Sequence, residues 1–362
     1  MIIAVNVRLL QKNRNGGIER FEKSLLKLLV KAMPEHQFYF IFDRNFDSEY
    51  KFADNVICLK CFPPTRHPIL QYLWLEISVP RVLKRIKADI FFSPDGFTSL
   101  RARNIKKITV IHDLNFFYFD NVLKLCDKIF WKHFIPLYAR ISDITVTVSE
   151  FSKHDLIHIC KLESSKVRVV YNFYDFQPRV FDLHNKKKYF LFVGNLSPRK
   201  NLSVLLRAFD KFCISHSDYR LIVAGGVLHK AEDVFSTYQN MRFGDNVDFL
   251  GSVSDIKLQK LYQEATALVF PSLFEGFGLP VIEAWSQACN VICSDTGSLK
   301  EIAGDAALLI DPLNQDAWTE AMIQISQDRL LQTTLYNKSV QRIKLYDSEK
   351  AVNAYKQILT EK

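Results

Sequence analysis

Short apolar runs recur along the chain, each ending at a polar or glycine-containing loop and most followed by a segment of helical period. That alternation constrains the fold most. A strand apolar on both faces needs cover on both sides, and strands joined through helices run parallel. In the first half the runs are Met1–Val7, Gln37–Asp43, Val56–Leu59, Ala88–Ser93, Lys107–His112 and Ile144–Ser149. After the first, a polar loop at Asn13–Gly17 precedes Ile18–Met33, where Phe21, Leu25, Leu28 and Leu29 share one helical face. The pattern breaks at Tyr171–Lys188, a polar stretch with Pro178 and three consecutive lysines, which reads as an interdomain linker. It then restarts with strands at Tyr189–Val193, Tyr219–Ala224, Val247–Leu250, Ala267–Phe270 and Asn290–Ser294, and a helix at Leu202–Ser215. Two such series predict an α/β protein of two doubly wound, Rossmann-like domains, residues 1–172 and 173–342. A C-terminal helix within 343–362 is expected to pack back on the first. Ligands of such sheets bind beyond the carboxyl ends of the strands, so a central cleft faced by both domains is the expected site.

A chain of 362 residues suits two domains of ordinary size. No run of eighteen apolar residues occurs, which argues against a spanning helix. The opening MIIAVNVRLL lacks the basic start and cleavage site of a signal peptide. Seven scattered cysteines then predict reduced thiols and a cytoplasmic setting. The net charge of +9 is unevenly placed: residues 1–172 hold 27 Lys and Arg against 17 Asp and Glu, a net of +10, and the remainder nets −1.

Four segments carry candidate chemistry. Glu275-Gly276-Phe277-Gly278-Leu279-Pro280-Val281-Ile282-Glu283 follows an apolar strand. It sets two carboxylates around small residues and a proline that opens a helix, where backbone amides meet anionic or hydroxyl-rich ligands. Carboxylates accept several hydrogen bonds and suit paired hydroxyls. Gly194-Asn-Leu-Ser-Pro-Arg199-Lys200-Asn201 places two adjacent cations before a helix, an arrangement that suits a phosphate. Asn15-Gly16-Gly17 leads into the first helix, and His112-Asp113 ends a strand at the sheet's carboxyl edge. His154 and His158 imitate a zinc helix, but no third ligand accompanies them.

Taken together, Gly16-Gly17, His112-Asp113, TVSEFSK at Thr147–Lys153, GNLSPRKN at Gly194–Asn201, EGFGLPVIEA at Glu275–Ala284 and the segment Ser294–Pro312 resemble the retaining glycosyltransferases of family 4, of GT-B fold. The resemblance runs from about residue 5 to residue 312. It implies that Arg199 and Lys200 hold the donor diphosphate beside Gly194, and that Glu275 binds hydroxyls of the transferred sugar. Gly276 and the amides of Phe277, Gly278 and Leu279 would assist, and Glu283 would bind the ribose. Gly16 and Gly17 would lie near the diphosphate and His112 near the sugar. Two departures are Lys300, where the family often has proline, and the interdomain turn Asn172-Phe-Tyr-Asp175.

The resemblance implies a nucleotide-sugar donor without metal or other cofactor, with GDP-mannose favoured and a UDP-sugar as the other reading. The first domain would take the acceptor, a glycan or a lipid-linked sugar of cell-surface polysaccharide synthesis, and the second would take the nucleotide sugar. A GT-B nucleotide-sugar epimerase and a non-catalytic homologue are the competing readings. The basic first half carries no nucleic-acid motif. It predicts docking on the inner face of the cytoplasmic membrane through Arg81–Lys87 and Arg101–Lys107, with the aromatic segments HPILQYLW and KIFWKHF at the lipid interface.

Overall fold

The computed structural model describes residues 1–11, 16–119, 124–174, 180–182, 185–227 and 231–361. Asn13–Asn15 of the first glycine loop, and Asp175 and Pro178 of the linker, lie outside them. The chain divides into two compact units. Unit 1 comprises Met1–Phe173 with Ser348–Lys362, and unit 2 comprises Tyr174–Asp347.

Unit 1 runs β1 (Ile2–Asn6), α1 (Gly17–Ala32), β2 (Gln37–Phe42), β3 (Val56–Lys60), α2 (Pro68–Leu73), α3 (Val79–Ile86), β4 (Ile90–Ser93), β5 (Lys106–Val110), α4 (Asn115–Tyr118), α5 (Leu125–Ile141), β6 (Ile144–Thr147), α6 (Glu150–Cys160) and β7 (Val167–Val169). Its seven strands are ordered β3-β2-β1-β4-β5-β6-β7, with every pairing parallel. Side chains alternate between two covered faces, as the pleat requires. Ile3, Val5, Phe38, Phe40 and Phe92 enter one cluster with α1. Ala4, Ile41 and Phe91 enter the other with α3, α5 and α6.

Unit 2 runs β8 (Tyr189–Val193), α7 (Leu202–Cys213), β9 (Arg220–Ala224), α8 (Glu232–Gln239), β10 (Val247–Gly251), α9 (Asp255–Glu264), β11 (Ala267–Phe270), α10 (Leu279–Ser286), β12 (Asn290–Ser294), α11 (Gly297–Ala303), β13 (Leu308–Ile310), α12 (Gln315–Gln327) and α13 (Arg329–Arg342). Its sheet is parallel in the order β10-β9-β8-β11-β12-β13. The last helix, α14 (Ser348–Thr360), belongs to unit 1, where Val352, Tyr355 and Leu359 join the cluster around α1.

The structure corrects several readings of the sequence. The strand expected at Lys107–His112 ends at Val110, so His112 stands in the following loop. Strands β7 and β13 escaped the sequence reading, because three-residue runs at a sheet edge are too short to show a period. Lys186, placed in the linker, is anchored in unit 2, where its ammonium donates to the carbonyls of Gln263 and Ala288 at 2.9 Å each. The helix of His154 and His158 buries Ser152, Asp155, Leu156 and Cys160, while both imidazoles are exposed and lie against each other, centroids 3.9 Å apart. The aromatic side chains of the segments assigned to a lipid interface are buried in the core or packed half-buried against it. Trp74 is fully buried, Phe130 nearly so, and Phe97 packs its edge on Trp131. The large apolar side chains exposed on these helices are instead Ile69, Leu73, Leu125 and Ile129. Among the described residues no helix is long and apolar enough to cross a membrane.

Candidate functional site

Strand order reverses in unit 2 between β8 and β11, because β9 and β10 lie to one side of β8 and β12 and β13 lie beyond β11. Loops leaving the carboxyl ends of two such strands part and open a crevice. Gly194 leaves β8 there, and the segment Ser272–Gly278 leaves β11. The close approach of the β8 and β9 ends requires glycine. Gly225 sits at φ +156°, and a Cβ on it would fall 1.9 Å from the Gly194 carbonyl oxygen.

Arg199 and Lys200, expected at the start of a helix, occupy a 3-10 turn, Pro198–Lys200. Asn201 then turns the chain through the left-handed region into α7. The Leu273 amide donates to the Arg199 carbonyl at 2.9 Å and ties the turn to the loop after β11. Both cations converge on one oxygen: Lys200 Nζ lies 2.6 Å and Arg199 NH1 2.9 Å from Glu275 Oε1. Arg199 also donates to the Phe274 carbonyl, and the Lys200 ammonium sits 4.5 Å over the Phe270 ring. A Cβ on Gly194 would come within 3.3 Å of the Lys200 side chain.

Glu275 and Lys200 are both buried. Burial raises the Glu275 carboxyl, but the charges of Arg199 and Lys200 outweigh it and hold the group at about 2. Three charged groups of net charge +1 are therefore fixed before any ligand arrives, one arginine fork and one ammonium among them.

Beyond Glu275 the chain passes Gly276 and Phe277 and turns at Gly278 into α10. Gly278 sits at φ +104°, and a Cβ there would lie 2.5 Å from Leu299. The buried Ser298 hydroxyl donates to the carbonyls of Glu275 (2.8 Å) and Phe277 (3.1 Å), bracing the loop from α11. The amide end of α10 at Leu279 thus follows the carboxylate directly. One turn later Glu283, also buried, accepts from the Tyr262 hydroxyl at 3.0 Å. Burial, then the Glu283 charge, raises Tyr262 well above its usual value, which keeps it a donor.

Of the residues singled out from the sequence, Gly194, Arg199, Lys200, Glu275, Gly276, Phe277, Gly278, Leu279 and Glu283 all belong to unit 2. Gly16, Gly17 and His112 belong to unit 1. Gly16 caps α1, and the Glu19 carboxylate lies so close that a Cβ on Gly16 would reach within 2.2 Å of it. Gly17 is exposed in the first turn. His112 Nε2 meets the Pro94 carbonyl at 2.9 Å, so Nε2 carries the hydrogen. Burial lowers the ring's pKa, leaving neutral imidazole with Nδ1 as acceptor. Tyr262 and Ser298 were not anticipated. Ser298 lies within Ser294–Pro312, whose family likeness was its one signal, and Tyr262 had none.

Residues 15–177 match the family model described as Glycosyltransferase Family 4, and residues 174–342 match that described as Glycosyl transferases group 1. The chain is 30% identical over 260 residues to the O-antigen chain mannosyltransferase RfbU of Salmonella typhimurium, covering 72% of this chain and 71% of that one. It is 26% identical over 290 residues to the O-antigen chain mannosyltransferase B of Escherichia coli, covering 76% of each. Among solved structures, the sucrose-phosphate synthase of Thermosynechococcus elongatus matches with a TM-score of 0.79 at 18% identity, over 99% of this chain and 98% of that one. WaaG, a glycosyltransferase involved in lipopolysaccharide biosynthesis, matches with 0.75 at 14% identity over the whole of both chains. These two likenesses establish the fold.

Proposed function

The chain belongs to the family-4 glycosyltransferases of GT-B fold, and from that premise we propose that it moves mannose from GDP-mannose, with retention of anomeric configuration, onto a glycan or lipid-linked acceptor in cell-surface polysaccharide synthesis. The observation that carries the reading is the convergence of Arg199 and Lys200 on Glu275 at the switch point of the second sheet. A departing nucleoside diphosphate gains negative charge as the glycosidic bond breaks. Two prepositioned cations and the amide end of α10 stabilise that charge. The diphosphate takes over Arg199 and Lys200, and Glu275 then receives hydroxyls of the transferred sugar. Glu283, aligned by Tyr262, takes the ribose.

Retention follows a front-face course in this proposal. The bond from the anomeric carbon to the diphosphate oxygen breaks, and the acceptor oxygen bonds to that carbon on the same face. The acceptor's proton passes to the leaving diphosphate, so no protein nucleophile and no metal is required. The roles of Gly16 and Gly17 toward the diphosphate, and of neutral His112 toward the sugar, are part of the same proposal.

The donor rests on the mannosyltransferase relatives. A UDP-sugar is the second reading, favoured by a relative from Campylobacter jejuni, 26% identical over 95% of this chain, whose name gives an N-acetylgalactosaminyltransferase. A thermal-shift screen with GDP, UDP, ADP and dTDP separates the two, since a ligand that binds the folded state raises the melting temperature. GDP should stabilise most. Stabilisation by UDP alone moves the reading to a UDP-sugar, and stabilisation by none removes the donor site.

A reversible membrane association completes the proposal. Arg81, Lys84, Arg85, Lys87, Arg101 and Arg103 are exposed on unit 1, as are the apolar side chains Ile69, Leu73, Leu125 and Ile129. Basic groups near an anionic surface contribute about 1 kcal/mol each, and exposed apolar side chains add burial at the interface.

A further inference from the structure

The loop that carries Glu275 lies on the amino end of a short helix, α11. Three of its alternate carbonyls accept from hydroxyls there. Thr296 Oγ1 donates to Leu273 at 3.3 Å, and Ser298 Oγ donates to Glu275 at 2.8 Å and to Phe277 at 3.1 Å. Ser298 and Leu299 are fully buried, so this end of α11 sets the path of the loop.

The other end of α11 is held as firmly. The last carbonyls of a helix have no partner within it and need one from outside. Arg342, at the end of α13, supplies it: Nε donates to the Ile302 carbonyl at 2.6 Å, and Nη2 donates to that of Glu301. Tyr346, in the 3-10 turn Ile343–Tyr346 that follows, donates its hydroxyl to the same Ile302 carbonyl at 2.9 Å. Burial raises the Tyr346 pKa to about 12, so the hydroxyl stays a donor. Gly304 makes room for the guanidinium: it sits at φ +52°, and a Cβ there would strike Arg342. A cap needs one donor. Here two residues converge on one carbonyl, and one of them reaches past the helix, its ring standing edge-on to Phe277 at 5.5 Å. Asp347, next in the chain, is the last residue of unit 2, so the donor loop is braced from the segment through which the chain leaves that unit.

We infer that Arg342 and Tyr346 are positioning residues for Glu275: through α11 they fix the loop that presents its carboxylate to the transferred sugar. The inference rests on the transferase reading above. The seven residues of α11, at about 1.5 Å each, put roughly 10 Å between its two ends, so Arg342 acts through the helix and not on the donor. Arg199 and Lys200 stand on the separate turn after β8. Loosening α11 therefore costs the contacts to the sugar and spares those to the diphosphate.

Hydrogen–deuterium exchange and titration calorimetry on the full chain test this. Arg342→Ala, and Gly304→Ala, which drives the guanidinium away, should each speed exchange across Ser272–Gly278 by about tenfold or more and leave Gly194–Asn201 unchanged. In the same variants GDP-mannose or UDP-N-acetylgalactosamine, whichever the wild type binds, should bind about tenfold more weakly. The matching free GDP or UDP should bind no less tightly than to the wild type. Tyr346→Phe removes one hydroxyl and keeps the ring. It should move both readouts in the same direction by less, and it reads the brace if the arginine variant does not fold. A cap that only stabilises would loosen unit 2 throughout and weaken nucleotide sugar and free nucleotide alike. That result overturns the inference, as does unchanged exchange at Ser272–Gly278. Failure of the wild type to bind either nucleotide sugar sinks the donor reading instead, and the exchange result still decides whether α11 braces Glu275.

Discussion

Replacing Glu275 by glutamine tests the charged triad at its centre. The wild-type carboxylate accepts from Lys200 at 2.6 Å and Arg199 at 2.9 Å, and these cations hold its pKa at about 2 instead of 4.5. A gap of roughly 2.5 units at about 1.36 kcal/mol each amounts to ~3 kcal/mol. The sign follows from which state binds more protons. Between pH 4.5 and 2 the unfolded chain protonates Glu275 and the folded chain does not. The stabilisation is therefore complete above pH 4.5 and is lost as pH falls toward 2. The glutamine amide does not titrate, so the stability difference between wild type and Glu275→Gln should be on the order of 3 kcal/mol at about pH 7 and should shrink steadily below about pH 4.5. Urea unfolding at several pH values from neutral down to about 3.5, followed by tryptophan fluorescence and fitted separately for the two units, measures it. The same variant should bind a free nucleoside diphosphate at least as tightly as the wild type, because the two cations lose their internal anion. A difference that stays flat across this pH range, or diphosphate affinity that falls with the substitution, would refute the triad as the structure draws it.

Lys200→Ala should leave the protein folded yet cut transfer by about 10²- to 10³-fold, as the loss of one preorganised charge-stabilising group does; near-wild-type turnover would remove the diphosphate assignment. Transfer should persist in EDTA, since Arg199 and Lys200 are proposed to take the charge a metal would otherwise meet; loss of activity that Mg²⁺ or Mn²⁺ restores would show otherwise. Sedimentation with vesicles should rise with the anionic lipid fraction, fall with salt, and drop when Lys84, Arg85, Arg101 and Arg103 become Glu or when Ile69 and Leu125 become Ser. Equal binding to neutral and anionic vesicles would leave an acceptor free in solution as the better reading.

The sequence disclosed the second unit more fully than the first, for a physical reason. In unit 2 the functional groups lie in two short contiguous segments, Gly194–Asn201 and Glu275–Glu283, so spacing alone brought Arg199, Lys200 and Glu275 to notice. The strands Tyr189–Val193, Ala267–Phe270 and Asn290–Ser294 were legible to the residue, because burial on both faces makes each a continuous apolar run. In unit 1 a buried polar cluster is assembled from Asn6, Arg8, Glu22 and Asp95, with 87 residues separating Arg8 from Asp95. Only the sheet brings those residues together, and no local spacing announces it. Glu22 was hidden in a different way. It sits in an otherwise regular amphipathic helix, and periodicity does not reveal that its face turns inward beside Arg8 and Asp95.

The aromatic segments teach the complementary lesson. HPILQYLW and KIFWKHF are rich in large apolar side chains next to basic stretches, which on composition alone reads as an interfacial belt. Yet a helix that covers a parallel sheet must use its largest side chains for that purpose, and Trp74 and Phe130 do so. What remains outside is the opposite face of the same helices, Ile69 and Leu73 on α2 and Leu125 and Ile129 on α5. Aliphatic residues, exposed where the sheet does not need them and flanked by lysine and arginine, therefore carry the argument for a membrane that the aromatics cannot.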